Sequence, residues 1–367
     1  MNPFLKSNLR FALTGMPGLD AAGFKKRIQS VKWPINLKPR VCEVTVNSAC
    51  NSRCLFCYGD PASFDSGVEP KLEEIFRALY AGRKQGCWIA AIIGGEPTLR
   101  PDIDKIAGFA RKIGYPCIKL CSNGGRLSDL KYARRMAESG FNMFDIALHG
   151  HNALIHDKLL GVSGSFDNAM NAIKNMKRLR LEVGTNQVIN ALNYGHFRRF
   201  FEFAWQELGI NYYNIIYLHY RGCVVHNIEA LKIKISATAP FIKKGLEVLR
   251  NSGMPALSRI LVNFPPCLFP EYLNILADWE SEAEAGDPLM SPDGSIINMA
   301  VMKNKQSIKA MACARCILDK RCRGLDREYM SLFGDLELKP LVKTPESFAV
   351  KTIFKEKKGD RLLFKGD

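Results

Sequence analysis

From Val41 to about Asn251, short apolar or β-branched runs alternate with amphipathic stretches of helical length. The runs that read as strands are 41–46, 88–93, 117–121, 143–148, 182–189 and 212–217. Apolar positions recur at helical spacing over 71–85, 102–113, 128–139, 166–180, 194–208 and 237–251. This alternation predicts an α/β fold with a parallel sheet and right-handed crossovers. Residues 1–40 show no clean period and read as a helical or irregular lead-in. After Asn251 the rhythm breaks into the Pro-rich NFPPCLFP and then a Cys-dense stretch ending near Gly324, which predicts a separate small module. The expected organisation is a lead-in over 1–40, a barrel over 41–255, a module over 256–335 and an exposed tail or hairpin over 336–367.

The chain has 367 residues, enough for one barrel of about 250 residues and a small appended unit. A composition 47% hydrophobic and 24% charged predicts a buried core and excludes extended disorder. No apolar run reaches membrane-spanning length and the first residues lack a secretory pattern, so the expected location is the cytoplasm, with no membrane partner. There the 12 cysteines stay reduced, and close spacings point to metal or redox chemistry before disulfides. The formal charge of +16 is spread in short clusters such as Lys25-Lys26-Arg27, Arg134-Arg135, Arg198-Arg199 and Lys320-Arg321-Cys322-Arg323, most of which read as solvated faces. Such a field would draw in an acidic substrate carrying phosphates or carboxylates.

Cys50-x3-Cys54-x2-Cys57 follows the first predicted strand in NSACNSRCLFCYGDP. Three thiolates at this spacing can hold three corners of an iron-sulfur cubane and leave the fourth iron open to an amine and a carboxylate. The alternative is a zinc knuckle or incidental cysteines, although zinc sites ordinarily take four ligands in paired spacings.

With Phe56 as the aromatic before its last cysteine, CxxxCxφC resembles the radical S-adenosylmethionine (SAM) signature, and the resemblance extends over roughly residues 41–220. Gly94-Gly95-Glu96-Pro97 resembles the family's GGEP element, which meets the amino group of SAM's methionine end. Ser122-Asn123-Gly124 resembles the TNG element near the ribose. Residues 145–150, then His156-Asp157 and Gly164-Ser165-Phe166, resemble the SLDG and HDxxxG...GSF region, with Ala147 where a Ser is usual and Leu160 where an Arg is often found. Asn186 on the fifth strand is a further candidate SAM contact, and Phe56 is expected beside the adenine. His149, His151 and His156 form a local trio that is expected to cap backbone or contact ligand rather than bind a separate metal. Four of these elements close four successive strands, the end at which barrels build active sites.

The resemblance implies a partial (β/α)6 TIM-like barrel carrying a [4Fe-4S] cluster on Cys50, Cys54 and Cys57, with SAM as cofactor. It also implies a reductant such as flavodoxin or ferredoxin, reductive cleavage of SAM to a 5′-deoxyadenosyl radical, and hydrogen abstraction from a substrate. No catalytic residue is assigned.

A second set, Cys313-x2-Cys316-x5-Cys322, lies in the C-terminal stretch, and Cys267 is the other cysteine there. Four thiolates complete a second, auxiliary [4Fe-4S] cluster, and a structural zinc on the same four is the alternative. The spacing resembles part of the SPASM module, whose further cysteine is replaced here by Asp326, so the shorter one-cluster relative called twitch is the better comparison. That resemblance implies oxidation or cross-linking of a peptide or protein side chain. A dehydrogenase or rearrangement enzyme for a sugar, nucleotide or cofactor precursor is the rival, and an iron-sulfur carrier without SAM chemistry is the alternative of another class. Cys42, Cys87, Cys117, Cys121 and Cys223 read mostly as small core residues, with Cys121 and Cys223 near the expected barrel mouth.

Overall fold

The computed structural model describes residues 41–59, 62, 69–252, 260–282 and 287–343; the lead-in and the tail beyond 343 lie outside them. Six strands stand side by side in chain order, each parallel to the next: β1 (Val41–Thr45), β2 (Ile89–Ile93), β3 (Cys117–Ser122), β4 (Met143–Ala147), β5 (Glu182–Ile189) and β6 (Tyr213–Tyr217). The crossovers are helical: α1 (Leu72–Lys84), α2 (Ile103–Lys112), α3 (Leu130–Ser139), the pair α4 (Ala153–Leu160) and α5 (Ser165–Arg178), and α6 (Phe197–Phe201), which continues as a wide turn over Glu202–Glu207. This is the expected partial (β/α)6 barrel. α4 is an addition; it was hidden because its apolar residues do not form one clean stripe, and it is started by Asn152, whose Oδ1 accepts from Ile155 N–H at 3.1 Å.

Alternation along the strands sorts the two faces. Ile118 and Leu120 of β3 join the main core under the helices, whereas Ile89, Ala91, Cys117 and Met143 form a separate apolar floor inside the barrel. Above that floor the interior turns polar. Lys119 Nζ lies 2.9 Å from the buried Asp145 Oδ2, which also accepts from Asn214 Nδ2 at 3.2 Å.

Beyond β6 come α7 (Cys223–His226), α8 (Ile228–Leu231) and α9 (Ile235–Asn251). The boundary expected near residue 255 lies outside the described residues, and the stretch after it does not stand apart from the barrel. β7 (Leu261–Val262) pairs with β6, while β8 (Pro288–Met290) pairs with β1 and carries antiparallel β9 (Ile296–Asn298). Both edges of the six-strand arc are thereby covered by the Cys-rich stretch, which suits parallel strands better than open edges. α10 (Met299–Gln306), the two-stranded pair β10 (Ser307–Ile308) and β11 (Leu325–Asp326), and α11 (Arg327–Phe333) complete it. Among the described residues no helix is long and apolar enough to cross a membrane.

Candidate active site

The loop after β1 carries Cys50, Cys54 and Cys57, and four separate elements hold it in place. From β2, Gly95 N–H donates to Asn47 O at 2.9 Å and Glu96 N–H to Ala49 O at 2.8 Å. A Cβ on Gly95 would sit 2.3 Å from Ser48 O and 2.4 Å from Ala49 O, so only glycine permits this approach. From β3, Asn123 Nδ2 donates to Asn51 Oδ1 at 2.7 Å and to Ser52 Oγ at 2.9 Å. The end of α4 receives Arg53 N–H on Leu160 O at 2.9 Å and Leu55 N–H on Leu159 O at 3.0 Å. From the segment after β6, Cys223 N–H donates to Cys57 O at 2.9 Å. The last two tethers were not legible in the sequence, because they use backbone groups that any residue supplies.

Glu96 is the keystone between two of these elements. Its Oε1 accepts from Thr98 N–H at 3.1 Å, Thr98 Oγ1 at 2.6 Å and Ser122 Oγ at 2.9 Å, and its Oε2 accepts from Asn123 N–H at 2.7 Å. Burial pushes the carboxyl above the usual carboxylate range, against these donors, which favour the charged form. Pro97 opens the short turn that follows, with Glu96 as its cap. Ser122 therefore gives its hydroxyl, and Asn123 its backbone N–H, to Glu96, while the Asn123 side chain is left to hold the cysteine loop. Glu96→Ala would strand buried donors on two strands, at a cost of about 3 kcal/mol. We expect the urea midpoint to fall at constant slope. Unchanged stability with lost SAM affinity would mean instead that the carboxylate serves the ligand alone.

The remaining candidates sit around this knot. Phe56, 8% exposed, lies with its ring 4.3 Å from that of His149. Asn186 faces the barrel interior, where its Oδ1 accepts from Asn214 Nδ2 at 2.7 Å. The histidine trio does bond to backbone in part: Val188 N–H donates to His149 Nδ1 at 3.1 Å, and His149 N–H to His156 Nδ1 at 3.2 Å. Burial lowers both pKa values, that of His156 to about 4, so both rings are neutral near pH 7.

The donor set fits an iron-sulfur group. Cys50, Cys54 and Cys57 interact with one another electrostatically, and burial pushes their thiols up, Cys57 to about 11, so metal binding must displace their protons. Among the described residues no three His, Cys, Asp or Glu side chains converge tightly enough for a single metal ion. A cubane spreads its thiolates further apart than one ion does.

The second set also comes together. Cys267, Cys313, Cys316 and Cys322 line one pocket, closed by Pro266, Leu318, Leu338 and Pro340. Asp326 is elsewhere. Arg221 holds its Oδ2 at 2.7 Å and His219 Nδ1 lies 3.2 Å from it; burial opposes the charge, yet these partners keep the carboxyl well below the usual range.

Comparison with known proteins places this geometry. The radical SAM superfamily profile matches residues 44–204. Over 177 residues the chain is 32% identical to a probable GTP 3′,8-cyclase of Saccharolobus solfataricus, covering 48% of this chain and 56% of that protein. Over 210 residues it is 28% identical to an Fe-coproporphyrin III synthase of Methanosarcina barkeri, covering 56% and 51%. The chain thus spans about half the length of the curated relatives it matches. Among solved structures, native anSMEcpe with bound AdoMet and Kp18Cys peptide superposes with a TM-score of 0.58 at 16% identity, over 85% of this chain and 95% of that one, a likeness of fold. The motif cysteines stand just past the carboxyl end of β1, within the stretch of residues 44–204 over which the chain matches the radical SAM superfamily.

Proposed function

We propose that the chain is a radical SAM enzyme that binds a [4Fe-4S] cluster through Cys50, Cys54 and Cys57 and a second one through Cys267, Cys313, Cys316 and Cys322, and that its substrate is a small anionic molecule. The observation that carries the first part is the knot of backbone and side-chain bonds from four elements onto the cysteine loop. When bound, the cluster and SAM together supply a 5′-deoxyadenosyl radical for hydrogen abstraction.

The residues present do the positioning. Phe56 offers an apolar face beside neutral His149, suited to the adenine, and the Gly94–Pro97 and Ser122–Gly124 turns border the cysteine loop where the rest of SAM would lie. Asn186, Asn214, Lys119 and Asp145 make the interior below polar, so a substrate with hydrogen-bonding groups is favoured there over a purely apolar one.

The small-molecule reading is supported by the sequence relatives, whose names contain GTP and Fe-coproporphyrin III, both anionic, and by the charge of +16. A peptide or protein side chain is the second reading, supported by the likeness of the Cys-rich stretch to SPASM and twitch modules. Anaerobic incubation with SAM and dithionite tests the enzyme reading through 5′-deoxyadenosine, whose absence would remove it. Adding GTP, porphyrins or a peptide library then separates the substrate classes. We expect an anionic small molecule to raise turnover at least tenfold, and stimulation by peptides alone would reverse the order.

A further inference from the structure

A patch of arginine and lysine side chains without carboxylate partners stands beside the cysteine loop. After β3 the chain passes through Gly125 and Arg126 into α3, and Arg126, Lys131, Arg134 and Arg135 are all exposed. The guanidinium carbons of Arg126 and Arg135 lie 4.4 Å and 4.9 Å from the centroid of one ring, that of Tyr132. Like charges gathered on one ring repel each other, so this arrangement calls for an anion. The protein does not supply it. Asp129 Oδ1 is engaged by the N–H groups of Lys131 and Tyr132, at 2.6 and 2.9 Å. Among the described residues none of the four cations forms an ion pair.

A chain of hydrogen bonds joins the patch to the cysteine loop. Arg126 Nη1 and the Tyr132 hydroxyl both donate to Thr98 O, at 2.6 and 2.9 Å. Thr98 in turn donates to Glu96, whose N–H meets Ala49 O beside Cys50. Asn123, three residues before Arg126, holds Asn51 and Ser52. Asn51 and Arg53 are exposed, so the patch adjoins the place where the loop itself meets solvent.

We propose that this face, made by Arg126, Lys131, Arg134 and Arg135, docks a small acidic electron-transfer protein that reduces the first cluster. The inference rests on the assignment of that cluster to Cys50, Cys54 and Cys57. The step moves one electron and breaks no bond: a reduced flavin or iron-sulfur carrier loses the electron and the cluster gains it. The donor has to come close to the cysteine loop, and unpaired cations at its edge select an acidic partner and speed the encounter. A nucleic acid would meet the same charges, but it has no need of the cysteine loop beside them.

The test is anaerobic stopped-flow reduction of the reconstituted full chain, with the first cluster identified by its spectral response to SAM. An acidic flavodoxin in its reduced form is one electron donor, and reduced methyl viologen, too small to need a docking face, is the other. In the combined variant Lys131→Glu, Arg134→Glu, Arg135→Glu, reduction by the flavodoxin is expected to slow about tenfold at low salt, and the difference should shrink as salt screens the charges. Arg126 is left in place because it also holds Thr98 O. Iron content and the rate with methyl viologen should not fall. Reversing three exposed cations in and beside α9, Lys234, Lys244 and Arg250, makes the same change in net charge and should leave the flavodoxin rate near the parent's. An unchanged flavodoxin rate in the α3 variant overturns the proposal, and loss of affinity for a labelled RNA oligonucleotide in that variant would then give the face to a nucleic acid. Equal slowing in the α9 variant, or with methyl viologen, overturns it as well, since net charge or damage to the cluster site would then be the cause. A parent protein with no SAM-responsive cluster would count against the cluster assignment instead.

Discussion

Replacing Cys50, Cys54 and Cys57 together by Ala is expected to abolish 5′-deoxyadenosine formation and to remove about one cubane of iron, while the second set of cysteines keeps its own. The triple change is the decisive one because it leaves no thiolate of the motif to hold iron. The tethers on the loop use backbone groups of Ala49, Arg53, Leu55 and Cys57 and the side chains of Asn51 and Ser52, none of which the substitutions remove. Circular dichroism should therefore report an unchanged fold. Iron analysis and product formation read the result, and a triple variant that still cleaves SAM at the parent rate would sink the assignment.

The sequence made the barrel legible because each strand is a compact apolar run and five of the expected helices carry a clear amphipathic stripe. The cysteine loop was legible for a different reason: its chemistry needs particular residue types at fixed spacing. The rest is carried by groups with no residue-type signal. Leu159 and Leu160 hold the loop by their carbonyls, so a position where the family often has Arg proves structural here through its backbone. Glu96 illustrates the converse. GGEP flagged the right residue, but its carboxylate is engaged by Thr98, Ser122 and Asn123, which no one-dimensional pattern records. The placement of the Cys-rich stretch likewise carries little sequence signal. Two-residue β7 and three-residue β8 are too short to give a period, yet they join it to both edges of the sheet.

Cys267→Ala is expected to cost the chain its second cubane and leave the SAM-responsive first cluster in place. Ligand counting suggested this residue, since Cys313, Cys316 and Cys322 supply three thiolates and a closed cubane takes four. The fold supplies the missing reach: 45 residues lie between Cys267 and Cys313 in the chain, yet both line one pocket. Burial pushes the Cys267 thiol up to about 12, so only a bound metal would hold it as thiolate near pH 7. Asp326 cannot replace the lost thiolate, because Arg221 and His219 already hold its carboxylate away from that pocket. Asp326→Asn should accordingly keep both clusters' iron while loosening the contact between β11 and the segment after β6. Iron and acid-labile sulfide analysis, with Mössbauer spectra of the reconstituted chain, reads both variants. Retention of two full cubanes in Cys267→Ala would exclude it as a ligand, and a single zinc ion in the parent's pocket would replace the auxiliary cluster with a structural metal.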